Sequence, residues 1–328
     1  MGKKTLNENE YLFASVRVRS EENRLIGREQ LMSAASSPSR TEIEGLISSL
    51  SDKGGSDEEK LSFFLSSVYD FASEICPDKA LLLFLRYVYD CNNIKSAIKC
   101  YFRGSECREG EMLFPFGSVP SQKIREMPES RDFSLLPAHM KEAAEAAMES
   151  FARTGNPQNV DTLLDSACFC DMLRAAEDCG EGFASELVRE RIDLTNIMMT
   201  VRTMRMGGAN SERLLHLSLI DGGNIEKEGF LSSHDENELC TLIRRTKYLT
   251  LIPLIAENAP LYKLECLSDN IFMESVREVR RIPFGAPLII AYIIAAEYQV
   301  KNLRIILAGK RASLAPETIL SRVRLGYV

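Results

Sequence analysis

The apolar residues of this chain recur mainly at the three- and four-residue spacing of an α-helix. Such spacing places side chains on one face of a helix, where they can pack against a core. Two stripes show it clearly: Phe84, Val88, Cys91, Ile94, Ile98 and Tyr101, and Leu194, Ile197, Met198, Val201 and Met204. Few segments alternate with the period of two that a half-buried strand requires. The sequence therefore predicts an all-α fold.

The longest uncharged apolar run extends from Ala286 to Ala296. Its eleven residues are too few for a bilayer crossing, which needs about 20. Pro287 suits the first turn of a helix, where the missing amide hydrogen is not needed. Residues 1–10 are polar and contain no apolar core of a secretory signal. We therefore predict a buried core helix here, no direct membrane span, and a cytoplasmic protein.

Three stretches interrupt the helical pattern. Residues 51–59 are charged and glycine-rich, and they predict a surface loop. Residues 104–137 contain four prolines and predict a connection between domains. Residues 221–229 contain two adjacent glycines and mark a second boundary.

An internal repeat sets the predicted domain organisation. Asn93, Asn196 and Asn302 are each followed by Ile or Leu and lie 103 and 106 positions apart. A glycine with Val or Ile two residues later follows these asparagines by 24, 27 and 24 positions. Two features that recur in the same order predict three related helical segments, which span residues 1–115, 116–225 and 226–328.

Each repeated asparagine has a polar residue three positions earlier, so that both lie on one helix face. This residue is aspartate in the first two segments and Gln299 in the third. Such side chains can pair with each other or bind neighbouring backbone groups. We predict a structural lock, used once per segment; contact with a ligand is the alternative. The predicted lock residues are Asp90, Asn93, Asp193, Asn196 and Asn302.

Composition and charge narrow the class of protein. Hydrophobic residues make up 45% of the chain, its formal net charge is −7 and its pI is about 5.3. An acidic globular chain is a poor general nucleic-acid binder, because binding to phosphates needs clustered cations. Nine cysteines without a C-x-x-C pair favour a reduced protein over a disulfide framework. From residue 297 onward the sequence contains six basic residues and only two acidic ones. This excess of positive charge indicates a solvated face or a docking surface for an acidic partner.

The usual catalytic signatures are missing from the sequence. Residues 309–311 (Gly-Lys-Arg) do not complete a phosphate-binding loop, and no G-x-G-x-x-G motif occurs. The three histidines are far apart, and Cys168 and Cys170 have no further metal ligand near them in the sequence. We therefore predict no catalytic residue, no cofactor and no metal site.

Several segments together resemble a known family. The chain resembles the C subunit of the V-type and A-type rotary ATPases and ATP synthases, the counterpart of the eukaryotic vacuolar ATPase d subunit. The resemblance covers most of the chain, and residues 297–310 match most strongly. The matching segments are residues 11–19 (YLFASVRVR), 90–98 (DCNNIKSAI), 193–202 (DLTNIMMTVR), 219–225 (LIDGGNI), 297–310 (EYQVKNLRIILAGK) and 323–328 (VRLGYV).

The resemblance implies a fold and a role. Members of this family are all-helical, three-lobed and funnel-shaped, with pseudo-threefold internal symmetry. One copy sits on the membrane rotor ring, receives the end of the central shaft and passes torque without doing chemistry itself. The implied location is cytoplasmic, with peripheral attachment to the membrane through the complex. As partner contacts we predict basic residues that follow the repeated asparagines; the alternative is solvated charge. These residues are Lys95, Lys99, Arg202, Arg205, Arg304 and Lys310.

Two other functions stay open at this point. One is a helical-repeat scaffold, unrelated to rotary ATPases, that binds a peptide or protein. The other is an all-α enzyme with a carboxylate-lined pocket, which the missing metal and phosphate motifs disfavour.

Overall fold

The computed structural model describes residues 8–51, 54–108, 112–208 and 211–328. These residues form sixteen α-helices and four short 3-10 helices, with no strand, which confirms the all-α prediction. The α-helices are α1 (Leu12–Glu22), α2 (Arg28–Ser36), α3 (Thr41–Ser49), α4 (Asp57–Ile75), α5 (Leu83–Arg103), α6 (Ser121–Ser130), α7 (Ala138–Thr154), α8 (Pro157–Asp178), α9 (Gly182–Met206), α10 (Ser211–Ser218), α11 (Lys227–Leu231), α12 (Glu236–Ile243), α13 (Ile252–Ala256), α14 (Leu261–Arg277), α15 (Ala286–Arg311) and α16 (Pro316–Leu320). The 3-10 helices are Glu8–Tyr11, Lys79–Leu82, Lys247–Leu251 and Glu278–Arg281.

The chain packs into two compact units. One unit combines the described residues up to Lys79 with Ile243–Val328, and the other comprises Ala80–Leu242. This division groups helices by packing and not by sequence repeat. The three segments bounded at residues 115 and 225, and their pseudo-threefold arrangement, therefore stay predictions.

Helix α15 forms the centre of the first unit. It packs against α1, α2, α3, α4, α14 and α16, and every residue from Leu288 to Ala296 is buried. Pro287 lies in its first turn, and the amide of Gly285 just before it donates to Ser15 Oγ at 3.0 Å. The prediction of a buried core helix is therefore confirmed. None of the described helices has the length and apolarity that a bilayer crossing demands.

Helix α8 holds the second unit together. It packs against α5, α7 and α9, while α6 lies on α5, and α10 lies on α9 and α8. The apolar stripes of α5 and α9 supply much of this core, with Ile94, Ile197 and Val201 fully buried. Tyr101 is the exception, because it lies near the end of α5 and is 44% exposed.

The loops are shorter than the sequence indicates. Helix α4 begins inside residues 51–59, because Ser56 caps it: Ser56 Oγ accepts from the Glu59 amide, and Glu59 Oε2 accepts from the Ser56 amide. The Ser56 amide and hydroxyl both donate to Glu59 Oε2, and these two hydrogen bonds lower the pKa of the Glu59 carboxyl. Helix α6 lies within the proline-rich residues 104–137. Residues 52, 53 and 109–111 of these predicted loops lie outside the described residues.

Candidate functional site

The three repeated asparagines occupy equivalent positions in three long helices. Asn93 lies in α5, Asn196 in α9 and Asn302 in α15, and all three are fully buried. Each side-chain amide exchanges two hydrogen bonds with the backbone of a single residue further along the chain. That residue follows by 21, 24 and 22 positions respectively.

The distances are nearly the same in the three cases. Asn93 Nδ2 donates to the carbonyl of Phe114, and the Phe114 amide donates to Asn93 Oδ1, both at 2.8 Å. The corresponding distances to Ile220 from Asn196 are 2.8 and 2.9 Å. Those to Arg324 from Asn302 are 3.0 and 2.8 Å. An asparagine amide carries a donor and an acceptor in one plane, so it can satisfy both backbone groups of one non-helical residue at once.

The aspartates three residues earlier bind a second part of the same loops. The Asp90 carboxylate accepts from the amides of Ser118 and Val119, at 3.0 and 3.1 Å. The Asp193 carboxylate accepts from the Ile225 amide at 3.0 Å. Burial raises the pKa of the Asp90 carboxyl, although hydrogen bonds from Ser118 and Val119 act in the opposite direction.

These aspartates explain two of the three repeated glycines. A Cβ atom at Gly117 would lie 2.1 Å from Asp90 Oδ1, and one at Gly223 would lie 2.2 Å from Asp193 Oδ1. No real Cβ atom approaches an oxygen so closely, so only glycine lets the loop backbone reach the carboxylate. Asp90 and Gly117 thus form one coupled pair, and Asp193 and Gly223 form another.

The third segment departs from this pattern. Gln299 stands in place of the aspartate, and its Oε1 accepts from the Ile26 amide at 2.7 Å, in the loop between α1 and α2. A Cβ atom at Gly326 would meet nothing nearer than the Val328 carbonyl oxygen, at 3.6 Å. Since no atom comes within 3.4 Å of that Cβ position, Gly326 has no such steric role.

At least five of the six predicted partner-contact cations are engaged within the chain. In the second unit Lys95 and Lys99 of α5 pair with Asp165 and Asp161 of α8, and the Lys95 Nζ–Asp165 Oδ1 distance is 2.6 Å. Burial lowers the pKa of Lys95, but Cys91 and Asp165 more than offset this, so that its pKa lies above the ordinary value. These two ion pairs, four residues apart on each helix, connect α5 to α8.

The other predicted cations have varied surroundings. Arg205 Nε lies 2.8 Å from Glu236 Oε1 in the second unit. In the first unit Arg304 pairs with Glu58, and Lys310 Nζ donates to backbone carbonyls at the end of α2, with the Ala35 oxygen at 2.8 Å. Arg202 is exposed. Contact of these six residues with another protein stays a prediction.

Histidine and cysteine side chains that could carry chemistry form structural contacts within the chain. Asp171 accepts from the Met140 amide at 2.8 Å and lies 2.7 Å from His139 Nδ1, so it binds the start of α7. A hydrogen bond with Cys91 and complete burial raise the pKa of the Cys168 thiol, which makes it a poor nucleophile. All nine cysteines are free thiols. In the described parts of the chain, no cluster of His, Cys, Asp or Glu could hold a metal ion.

The sequence spacing singled out the repeated asparagines but did not identify the backbone groups that they bind. Phe114, Ile220 and Arg324 carry no side-chain signal for the contact, because only their backbone takes part. The spacing between each asparagine and its trailing glycine was the one available signal. The sequence analysis also missed two exposed arginines, Arg153 and Arg213, which line one groove of the second unit.

Comparison with known proteins places these features in a family context. The family model for the ATP synthase (C/AC39) subunit matches residues 14–322. The chain is 24% identical to the C subunit of an A-type ATP synthase from Methanocaldococcus jannaschii, over 95% of this chain and 85% of that protein. It is 25% identical to the C subunit of a V-type sodium ATPase from Enterococcus hirae, over 82% of each. The C subunit of an A-type ATP synthase from Methanosphaera stadtmanae is 22% identical over 96% of this chain and 88% of its own length.

Proposed function

Since the chain belongs to the ATP synthase (C/AC39) subunit family, we propose that it is a non-catalytic central-stalk connector of a V/A-type rotary ATPase. In this role it seats the central shaft on the membrane rotor ring and transmits torque between ATP chemistry and ion transport. Its partners are the central-shaft subunits and the rotor ring, with one copy in each complex. It works on the cytoplasmic side, attached to the membrane only through the complex.

The names of the relatives support the parent complex. Proteins similar to this chain over most of its length are named as subunits of an A-type ATP synthase and of a V-type sodium ATPase. A shared position in such a complex accounts for similarity along nearly the whole chain, which a single shared motif does not.

The lock geometry is the observation that fits torque transmission best. A connector under load must resist the separation of its long helices from the loops beside them. In this chain α5, α9 and α15 are each bound to a non-helical segment through a buried two-bond asparagine contact. Each such hydrogen bond contributes about 1 kcal/mol net, and breaking it leaves a buried or partly buried backbone group unpaired.

A reconstitution assay tests the proposal. The purified chain is mixed with the central-shaft subunits, with the rotor ring, and with both together. We expect it to bind each partner alone and to join the two in a ternary complex. In vesicles that hold the rest of the complex, adding the chain should restore ATP-driven ion transport.

Specific outcomes would count against the role. A chain that binds neither the shaft nor the ring is not a connector, and such a result favours the helical-repeat scaffold. ATP-driven ion transport that proceeds equally well without the chain would contradict torque transmission. ATP hydrolysis by the purified chain alone would contradict the non-catalytic assignment.

A further inference from the structure

A groove on the second unit lies where four helices end or begin. It is bounded by the last turn of α7, the first turns of α8, the end of α9, and α10, and its volume is about 560 Å³. This volume lies within the range of roughly 300–1,000 Å³ that is usual for binding pockets. The side chains that characterise the groove are Arg153, Leu163, Met206, Arg213, Leu214 and Leu217.

The floor of the groove is apolar and exposed. Met206 is 56% exposed, Leu217 is 55% exposed and Leu163 is 36% exposed. They come from three different helices, so the fold gathers them into one place. Clustered exposed apolar side chains are uncommon on a protein that works alone, and they indicate a surface that another molecule covers.

The charged groups of the groove all have one sign. Arg153 and Arg213 are exposed, and neither forms a hydrogen bond or an ion pair with the described residues. No aspartate or glutamate lines this groove. The chain as a whole carries a formal net charge of −7, so a groove with two cations and no carboxylate is a local reversal of sign.

Several other polar side chains of the groove already have hydrogen-bond partners within the chain. Asn156 Oδ1 accepts from the Gln158 amide at 3.0 Å and caps α8. Asn159 Nδ2 donates to Ser150 Oγ at 3.0 Å. The groove therefore offers an incoming molecule mainly apolar contact and two guanidinium groups, together with the side-chain amide of Gln158.

We propose that this groove docks an acidic amphipathic helix of another subunit of the complex. Apolar side chains at helical spacing would cover Leu163, Met206 and Leu217, as in other helix-in-groove contacts. Asp or Glu on the flanks of that helix would pair with Arg153 and Arg213, whose planar guanidinium groups bind carboxylates in a bidentate manner. The inference rests on the proposed function, because it takes the partner from the same complex.

The concave shape and the composition favour a helix over a lipid surface. A flat anionic membrane would engage the arginines but could not fill a recess of about 560 Å³. A negatively charged helix fills the recess and meets both cations. The contrast with Lys95 and Arg205 is informative, because carboxylates of the chain itself already bind those cations.

The test uses the full chain with purified shaft subunits and rotor ring. The variant Arg153→Glu/Arg213→Glu reverses both groove charges. Its matched control is Lys141→Glu/Arg174→Glu, which makes the same charge change at two cations of α7 and α8 outside the groove. We expect the groove variant to weaken binding to one partner by about tenfold or more, and the control by less than about twofold.

A second pair of variants tests the apolar floor. Leu217→Asp places a carboxylate in the groove, and Leu135→Asp makes the same change at a leucine that is 57% exposed outside the groove. We expect only Leu217→Asp to weaken binding, again by about tenfold. Wild-type affinity should fall as salt rises, and the double arginine variant should lose most of that dependence. Thermal melting of all four variants should match the wild type, because the side chains lie at the surface.

Each outcome has a definite meaning. Wild-type binding that both groove variants retain overturns the inference alone, as does equal weakening by the groove and control variants. Wild-type binding to neither the shaft nor the ring overturns the proposed function and this inference with it. A different result would assign the groove to a membrane surface and overturn the proposal of a helical partner. In that case the chain binds anionic phospholipid vesicles through the same two arginines, while its binding to shaft and ring is unaffected by the variants.

Discussion

Replacing Asn196 by leucine tests the lock at its most buried point. Asn196 and its partner Ile220 are 0% and 2% exposed. The substitution removes the donor to the Ile220 carbonyl at 2.8 Å and the acceptor of the Ile220 amide at 2.9 Å. Both backbone groups of Ile220 would then be buried without a partner.

The magnitude follows from these two orphaned groups. Each costs about 1–3 kcal/mol when it is left unpaired in the interior. The leucine side chain has a similar size, and its apolar transfer recovers about 1 kcal/mol. We expect Asn196→Leu to lower the free energy of unfolding by about 1–5 kcal/mol.

Two measurements check this expectation. Urea unfolding followed by circular dichroism gives the free energy, and amide hydrogen exchange reports on the Ile220 amide itself. The control Asn224→Leu makes the same change at an asparagine nearer the surface, whose amide donates to Glu186 at 3.1 Å. It should change stability by no more than about 0.5 kcal/mol.

The reasoning can fail in a clear way. If Asn196→Leu unfolds at the wild-type urea concentration, the paired amide does not stabilise the fold. If the Ile220 amide exchanges at an unchanged rate in the variant, the two hydrogen bonds do not protect this loop. Either result would refute the lock, because both observations depend on the same contact.

Two further predictions follow from the structure. Gly117→Ala should lower the free energy of unfolding by about 1–3 kcal/mol, because the new methyl displaces the buried Asp90 carboxylate from its hydrogen bonds. Urea or thermal unfolding measures this change. The control Gly326→Ala places a methyl that meets no atom within 3.4 Å, so it should melt like the wild type. Burial raises the pKa of Tyr292 from 10.0 to about 12, so the unfolded chain ionises first, and stability should fall as pH rises from 10 to about 12. Tyr292→Phe should flatten that decline, and an unchanged alkaline slope in this variant would contradict the assigned cause.

The sequence alone determined the all-α class, the cores of three long helices and the positions of the repeated asparagines. Apolar spacing identified much of α5 and α9, and the run from Ala286 to Ala296 identified the core of α15. Local periodicity suffices for this, because the 3.6-residue turn decides which side chains share a face. The regular offsets of Asn93 and Asn196 from their trailing glycines also indicated a repeated device before its geometry was known.

Only the tertiary structure decided what those residues contact. Gln299 binds the Ile26 amide, 273 positions away in the chain, instead of the loop that its position in the repeat predicts. Lys95 and Arg304 pair with carboxylates 70 and 246 positions away. Sequence spacing cannot identify such partners, because a contact between distant segments depends on the path of the whole chain. The groove around Arg153 exists for the same reason, since four helix termini must meet before it has walls.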